Sequence, residues 1–320
     1  MRAFFHSPYV CLLLVIGLLA SVTPVMKAVF TKDQVDPIMV AALRTIIPFA
    51  VLFPIAACRN RVVLMSLRRR DLKELSALGV LGIGSYLVAA TGLSYTTVTH
   101  YVLIYSLLPG CTAILMAVLK HRRLTTLTIT GIVLSFIGCI VAVTTKGAQE
   151  IGSAGAVGDA LVLLFTVMLA LHLVASRQIT KRVGTLTAHT VMFGSTSLVM
   201  IGAAWSGMKP GLSTLSLSTW IALSYIGLAT VAVFLLRAHA LKTLPPTTVA
   251  SFHNLIPVCT LLIADLWLGE PHQGGTVLGA AIILTGLEVL RRAHMNPGLD
   301  MARGSTPVAT AAPAGASVPA

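Results

Sequence analysis

Carboxylates are scarce in this chain. Only 10 of its 320 residues are Asp or Glu, and charged residues of both signs make up 10%, where a soluble domain carries about 25%. Apolar residues supply 56% of the sequence, and mean hydropathy is +0.90. The charge needed to solvate a globular surface is missing, which excludes a water-soluble core protein. Aromatics are sparse too, at 6%, and nowhere interleave with basic residues as they do where single-stranded bases are stacked. The net charge of +13 therefore does not point to nucleic acid.

The five cysteines, Cys11, Cys58, Cys111, Cys139 and Cys259, lie inside or at the end of apolar runs, with no CxxC spacing and no His/Cys cluster. They read as packing residues, so no metal, no disulfide framework and no cofactor is expected. Gly-x-Ser-x-Gly, His-Glu-x-x-His and paired intramembrane aspartates are also absent, and no enzyme activity is expected.

Long apolar runs are what the chain does have. Spans fall at about 9–30, 37–57, 75–93, 98–119, 126–144, 157–176, 187–207, 216–236, 246–268 and 275–291, each near the ~20 residues that cross a bilayer as a helix. The first is retained as a span rather than a cleaved leader, because its apolar run continues through Val29 and Phe30. With the amino end inside, eighteen of the 23 Lys and Arg fall in inside segments. Four (Lys27, Lys32, Lys146, Lys209) fall at the outer boundary, and Arg44 falls within a span. Cytoplasmic connections are enriched in these residues, so both termini are expected in the cytoplasm. Residues 293–320, rich in Pro, Gly, Ala, Ser and Thr, read as a disordered cytoplasmic tail.

One phrase occurs twice, as Tyr105-Ser-Leu-Leu-Pro-Gly-Cys-Thr112 and His253-Asn-Leu-Ile-Pro-Val-Cys-Thr260. Setting Pro109 on Pro257 also sets Gly131 on Gly279 and Gly138 on Gly286. Each half then holds five helices, and an odd number inverts the second copy. The expected fold is all-α and integral to the membrane: ten transmembrane helices in two inverted five-helix repeats, residues 1–145 and 151–292. The four glycines, seven apart on one helical face, read as packing positions.

Polar groups inside such spans need a reason. Pro109 and Pro257 each remove an amide and kink a helix, and the freed carbonyl needs a partner or water. The kinks either serve packing or open a central cavity lined by Tyr105, Ser106, His253 and Asn254. Tyr101, one turn before Tyr105, and Tyr225 in the eighth span either stack on an organic substrate or fill space. His253 and His172 are candidates to bind substrate or carry a proton. Arg44 costs about 2.5–3.5 kcal/mol at a helix centre, so it either pairs with Asp33 or Asp36 or forms an anion-attracting wall.

The chain resembles the EamA branch of the drug/metabolite transporter superfamily. The resemblance rests on the Pro109 and Pro257 helices, Gly269-Glu270, the spacing of Gly279 and Gly286, and Ala42-Leu43-Arg44. It departs at Arg122, which stands where the second repeat keeps Glu270. The resemblance implies a ten-helix inner-membrane carrier exporting an amino-acid-like metabolite by alternating access. Its expected partners are a small-molecule substrate, the lipid bilayer and protons as coupling ion. Lys27 and Arg44 suggest an alternative, a carrier of anionic or phosphorylated metabolites. An oligomeric pore or a non-transporting sensor is the alternative from another class.

Overall fold

The computed structural model describes residues 8–120, 124–144, 153–207, 215–243, 255–269 and 274–295. His253 and Asn254, Arg122, Glu270 and the tail from residue 296 lie outside them. The described residues form thirteen helices and no strand. In chain order these are α1 Pro8–Lys32, α2 Pro37–Arg59, α3 Arg61–Met65, α4 Arg69–Gly82, α5 Ser85–Tyr95, α6 Val98–Tyr105 and α7 Leu108–Lys120. There follow α8 Thr126–Thr144, α9 Ser153–Val183, α10 Thr185–Gly207, α11 Leu217–Thr243, α12 Leu255–Leu268 and α13 Gly274–Met295.

Among the described residues, eight helical stretches are long and apolar enough to cross a membrane, with α4–α5 and α6–α7 each counted as one. Thr126–Ala142 and Leu255–Leu268 are shorter apolar helices. Large apolar side chains, among them Leu13, Ile140, Leu198 and Leu266, stand exposed. Water would penalise that surface and lipid does not.

Two of the expected spans are interrupted. The third starts at Arg69 rather than residue 75 and breaks between α4 and α5. There the amides of Ile83 and Gly84 both reach the Gly79 carbonyl, at 2.7 and 3.1 Å. A Cβ on Gly84 would lie 2.0 Å from the Val80 carbonyl oxygen, so the turn admits only glycine. The fourth span breaks at Ser106–Leu107, just ahead of Pro109, which has no amide to offer the Tyr105 carbonyl. The Leu107 amide tightens onto Ile104 at 3.1 Å, and α7 resumes with the Cys111 amide on Leu107 at 2.9 Å.

The sequence repeat has a structural counterpart beside the prolines. The Thr112 hydroxyl donates to the Leu108 carbonyl at 2.7 Å, and its equivalent, Thr260, donates to Ile256 at 2.9 Å. Pro257 is buried in α12.

α9 and α11 run further than their apolar cores. Arg177, Lys181 and Arg182, and likewise Arg237 and Lys242, therefore ride on helices rather than in connections. Arg182 ion-pairs with Asp71 of α4, and Gly184, at φ +85°, makes the turn into α10.

The four paired glycines are packing positions, as their spacing predicts, and they pack against one another. α8 crosses α13 so closely that a Cβ on Gly138 would meet the Ile283 nitrogen at 2.7 Å and the Gly279 oxygen at 2.8 Å. A Cβ on Gly279 would meet the Ala142 nitrogen and Gly138 oxygen, both at 2.6 Å. These obstacles are backbone atoms and cannot rotate away. Gly138→Ala is expected to cost about 1–3 kcal/mol, as overpacking does, and to lower the melting temperature of the purified protein. Gly17→Ala and Gly202→Ala, where an added Cβ has nothing within 4 Å, should leave melting unchanged or raise it.

A polar clamp ties α1 to α11. Asp33 accepts hydrogen bonds from the Ser216 hydroxyl at 2.7 Å, the Ser216 amide at 3.3 Å and the Thr219 hydroxyl. Lys32 donates to Ser218 at 2.7 Å. The Thr219 hydroxyl first, then Ser216, holds the Asp33 carboxyl below the ordinary aspartate value of 3.8. A folded-state value depressed in this way stabilises above 3.8, and the contribution is lost as pH falls through the folded value. Asp33→Asn should therefore flatten the acid limb of a melting-temperature-against-pH profile while leaving its neutral-to-alkaline shape intact.

Candidate functional site

The breaks in the third and fourth spans set four aromatic rings around one arginine. Tyr101 and Tyr105 are four residues apart on α6, so both project from one face, with ring centroids 6.4 Å apart at 23°. Phe165 of α9 stacks on both, at 6.2 Å and 23° from Tyr101 and at 5.8 Å and 13° from Tyr105. Tyr86, second residue of α5, tilts against Phe165 at 6.4 Å. Over the face of Tyr86, 4.2 Å from its centroid, lies the guanidinium of Arg44 on α2.

Neither Asp33 nor Asp36 pairs with Arg44, against the expectation from their proximity in sequence. Asp33 is occupied by Ser216 and Thr219. Asp36 caps α2 by accepting from the Ile38 amide at 2.9 Å. What Arg44 has instead is uncharged: the Tyr86 ring, the Met26 sulfur at 3.6 Å from one terminal nitrogen, and the Tyr101 hydroxyl. Its Nε is buried without a hydrogen-bond partner, and no carboxylate among the described residues lies within ion-pair distance. A cation–π contact contributes about 0.5–2 kcal/mol, less than the cost of about 2.5–3.5 kcal/mol for an arginine at a helix centre.

A cavity of about 1030 Å³ lies at the end of the bundle where α1 finishes and α2 begins. Its α2 wall includes Leu43 and Ile46, on either side of Arg44 in sequence, and its α5 wall reaches Leu87, next to Tyr86. Arg44 and the stacked rings are not themselves in its lining.

The other sequence-derived candidates are placed as follows. The Ser106 hydroxyl is buried and donates to the Leu103 carbonyl of its own helix at 2.6 Å. The Tyr225 hydroxyl shares a 2.6 Å hydrogen bond with Ser21 of α1. His172 is buried, and its Nδ1 donates to the Leu78 carbonyl at 2.8 Å. Gly82 makes room for that ring, since a Cβ there would fall 2.0 Å from it. Each of these three has a structural partner. Lys27 donates to the carbonyls of Leu93 and Thr96, at 3.1 and 2.6 Å, which anchors it at the carboxyl end of α5 where helix carbonyls favour a cation.

Three groups that matter here escape the sequence reading. Tyr86 and Phe165 look like ordinary aromatics in apolar runs. His100 and Asp159 are paired at 2.9 Å between α6 and α9, and the signal for them is a carboxylate two residues inside the span expected at 157–176.

The model of the EamA-like transporter family matches residues 7–144 and 156–291. A protein of Bacillus subtilis (strain 168), described as the uncharacterized transporter YyaM, is 28% identical over 266 residues, which are 81% of this chain and 86% of that protein. An uncharacterized transporter of Archaeoglobus fulgidus is 25% identical over 263 residues, 80% of this chain and 89% of that one. A crystal structure superposes with a TM-score of 0.65 over 93% of this chain and 99% of its own, at 19% identity, a likeness of fold alone. Matched along nearly all of its helical length, the chain belongs to the EamA-like transporter family.

Proposed function

We propose that this membrane transporter is a secondary carrier of a small amino-acid-like carboxylate, with Arg44 and the Tyr86–Tyr101–Tyr105–Phe165 stack as its binding site. The observation that supports this is Arg44 itself, a half-buried cation set on an aromatic face, with a buried, unsatisfied Nε and no carboxylate partner among the described residues. Planar guanidinium recognises a carboxylate with two parallel hydrogen bonds. The rings beside it are suited to the apolar part of the same molecule.

A phosphorylated substrate is the second reading, and Lys27 would be its second cation. Lys27 is committed to two carbonyls, which favours a single carboxylate over a phosphate dianion.

In this proposal the ten apolar helices form two inverted five-helix repeats, residues 1–145 and 151–292, that alternate access to a site near the midplane. Both termini are cytoplasmic, the membrane is the inner one, and transport runs outward. The recurrence of Pro-x-Cys-Thr with its threonine bonds, and the reciprocal glycine crossing of α8 and α13, support the duplication.

The test is a thermal-shift screen of purified protein against amino acids and other carboxylates, followed by counterflow in proteoliposomes. A ligand that binds the native state raises apparent stability. Arg44→Gln should weaken the binding of any hit by roughly ten- to a hundred-fold, the range of a lost charge-assisted hydrogen bond. Tyr86→Phe should keep most of the affinity, because the ring face remains. Saturable counterflow separates a carrier from a pore. If Arg44→Gln bound the hit as tightly as wild type, the proposed site would be wrong.

Orientation is checked separately. A single cysteine in the tail, in a background lacking the native five, should react with an impermeant maleimide only after cells are opened. A single cysteine at Lys146 should react in intact cells.

A further inference from the structure

At the end of α6 away from Pro109, a second polar group is enclosed. His100 is 6% exposed. Its Nδ1 lies 2.9 Å from one oxygen of Asp159, and the other Asp159 oxygen accepts from the Thr96 hydroxyl. The Thr96 carbonyl in turn accepts from Lys27, which lines the cavity. The close crossing of α5 and α9 makes this possible. A Cβ on Gly158 would sit 2.9 Å from both the Gly92 oxygen and the Thr96 nitrogen, so only a glycine there lets Asp159 reach Thr96 and His100.

An ionised carboxylate only accepts, so a neutral imidazole beside it donates from Nδ1 and presents its lone pair at Nε2. That Nε2 is buried and has no hydrogen-bond partner. A histidine retained only to tie two helices together has no need of a carboxylate in an apolar span, since the Leu78 carbonyl holds His172 without one. An ionisable pair enclosed between membrane-spanning helices is a functional-site candidate, with proton and ion paths among the known uses.

We propose that His100 Nε2, backed by Asp159, is the proton-binding site of this carrier and that the proton is its coupling ion. This rests on the reading of the chain as a secondary carrier. Protonation at Nε2 converts a neutral imidazole beside a carboxylate into an imidazolium–carboxylate pair, and the proton taken from one aqueous side is released to the other. The charged and titratable groups facing the pair are Lys27 from α1, through Thr96, and the Cys139 thiol from α8, which feels the Asp159 charge. Coupling has a direct route. His100 adjoins Tyr101 on α6, and Asp159 is six residues before Phe165 on α9, so the proton pair and the aromatic stack span the same two helices.

The experiment uses full-length protein in liposomes loaded with a pH-sensitive dye, voltage clamped by potassium and valinomycin, with the standard L-amino acids as probes. Wild type should show amino-acid-dependent proton flux. His100→Gln and Asp159→Asn should lose it, down to protein-free liposomes, while still catalysing amino-acid counterflow. Proton flux that persists in both variants overturns the proton site and leaves the carrier reading standing. If wild type transports no amino acid, the substrate reading fails, and nitrogen NMR of histidine-labelled protein in nanodiscs decides the proton site alone. With the His100 signal assigned by its loss in His100→Gln, Nδ1–H with a bare Nε2 that gains a proton on acidification supports it. A proton on Nε2 throughout, or none at any pH at which the protein stays folded, overturns it.

Discussion

A peptide amide or carbonyl inside a bilayer has no water to turn to, and leaving one unpaired costs several kcal/mol. Unbroken helices meet that constraint with their own ladder. This chain interrupts two of its spans, at Ile83–Gly84 and at Ser106–Leu107, and the neighbourhood is built around the need to satisfy what the breaks release. Ser85 takes the Gly82 carbonyl and Ser106 takes Leu103, the carbonyls left when the Tyr86 and Leu107 amides turn to Ile83 and Ile104. Small hydroxyls thus stand in for water. Because the breaks are enclosed by protein, they also aim side chains inward that a straight helix would have sent elsewhere: Tyr86 at the start of α5 and Tyr105 at the end of α6 both come to Phe165.

Helical class, most span boundaries and the glycine packing were legible in the sequence because the bilayer leaves a one-dimensional record of them. Length, hydropathy and a seven-residue glycine spacing are local properties. The break at Pro109 was legible for the same reason, since proline acts on its own preceding turn. The break at Gly84 was not, because glycine is common in membrane helices and only the approach of the Val80 carbonyl distinguishes this one. Of the candidate site, Arg44 stands out in the sequence by its cost, and Tyr101 and Tyr105 by their register on one helix. Tyr86 and Phe165 depend on which helices cross, and crossing partners leave no mark in a single sequence. Asp159 stands near a span end, where a carboxylate carries no signal of its own, and its enclosure comes from the Gly92–Gly158 contact.

Two kinds of helix contact divide the molecule mechanically. α8 and α13 meet backbone to backbone through reciprocal glycines, with little side-chain freedom to absorb a shift. Around α6 and α9 the contacts are stacked rings and polar side chains, which have rotamers to spare. The glycine crossing of α5 on α9 at Gly92 and Gly158 is as close, which leaves the α6–α9 face as the adjustable one, and both proposed sites draw on it.

That placement bears on how a proton could be linked to a substrate without a shared atom. Linkage requires that two ligands bias one two-state element, whatever the distance between them. α6 is short, bounded by the Thr97 cap at one end and the Ser106–Leu107 break at the other, so it can shift as a unit against α9. Its first turn carries His100 and Tyr101 and its second carries Tyr105. In the proposed carrier an imidazolium formed at His100 would strengthen the hold on Asp159 and draw that end of α6 toward α9, whereas a carboxylate on Arg44 would load the rings. Both ligands would then act on the same α6–α9 register, one through an ion pair and one through a ring stack. The break ahead of Pro109 would uncouple that motion from α7.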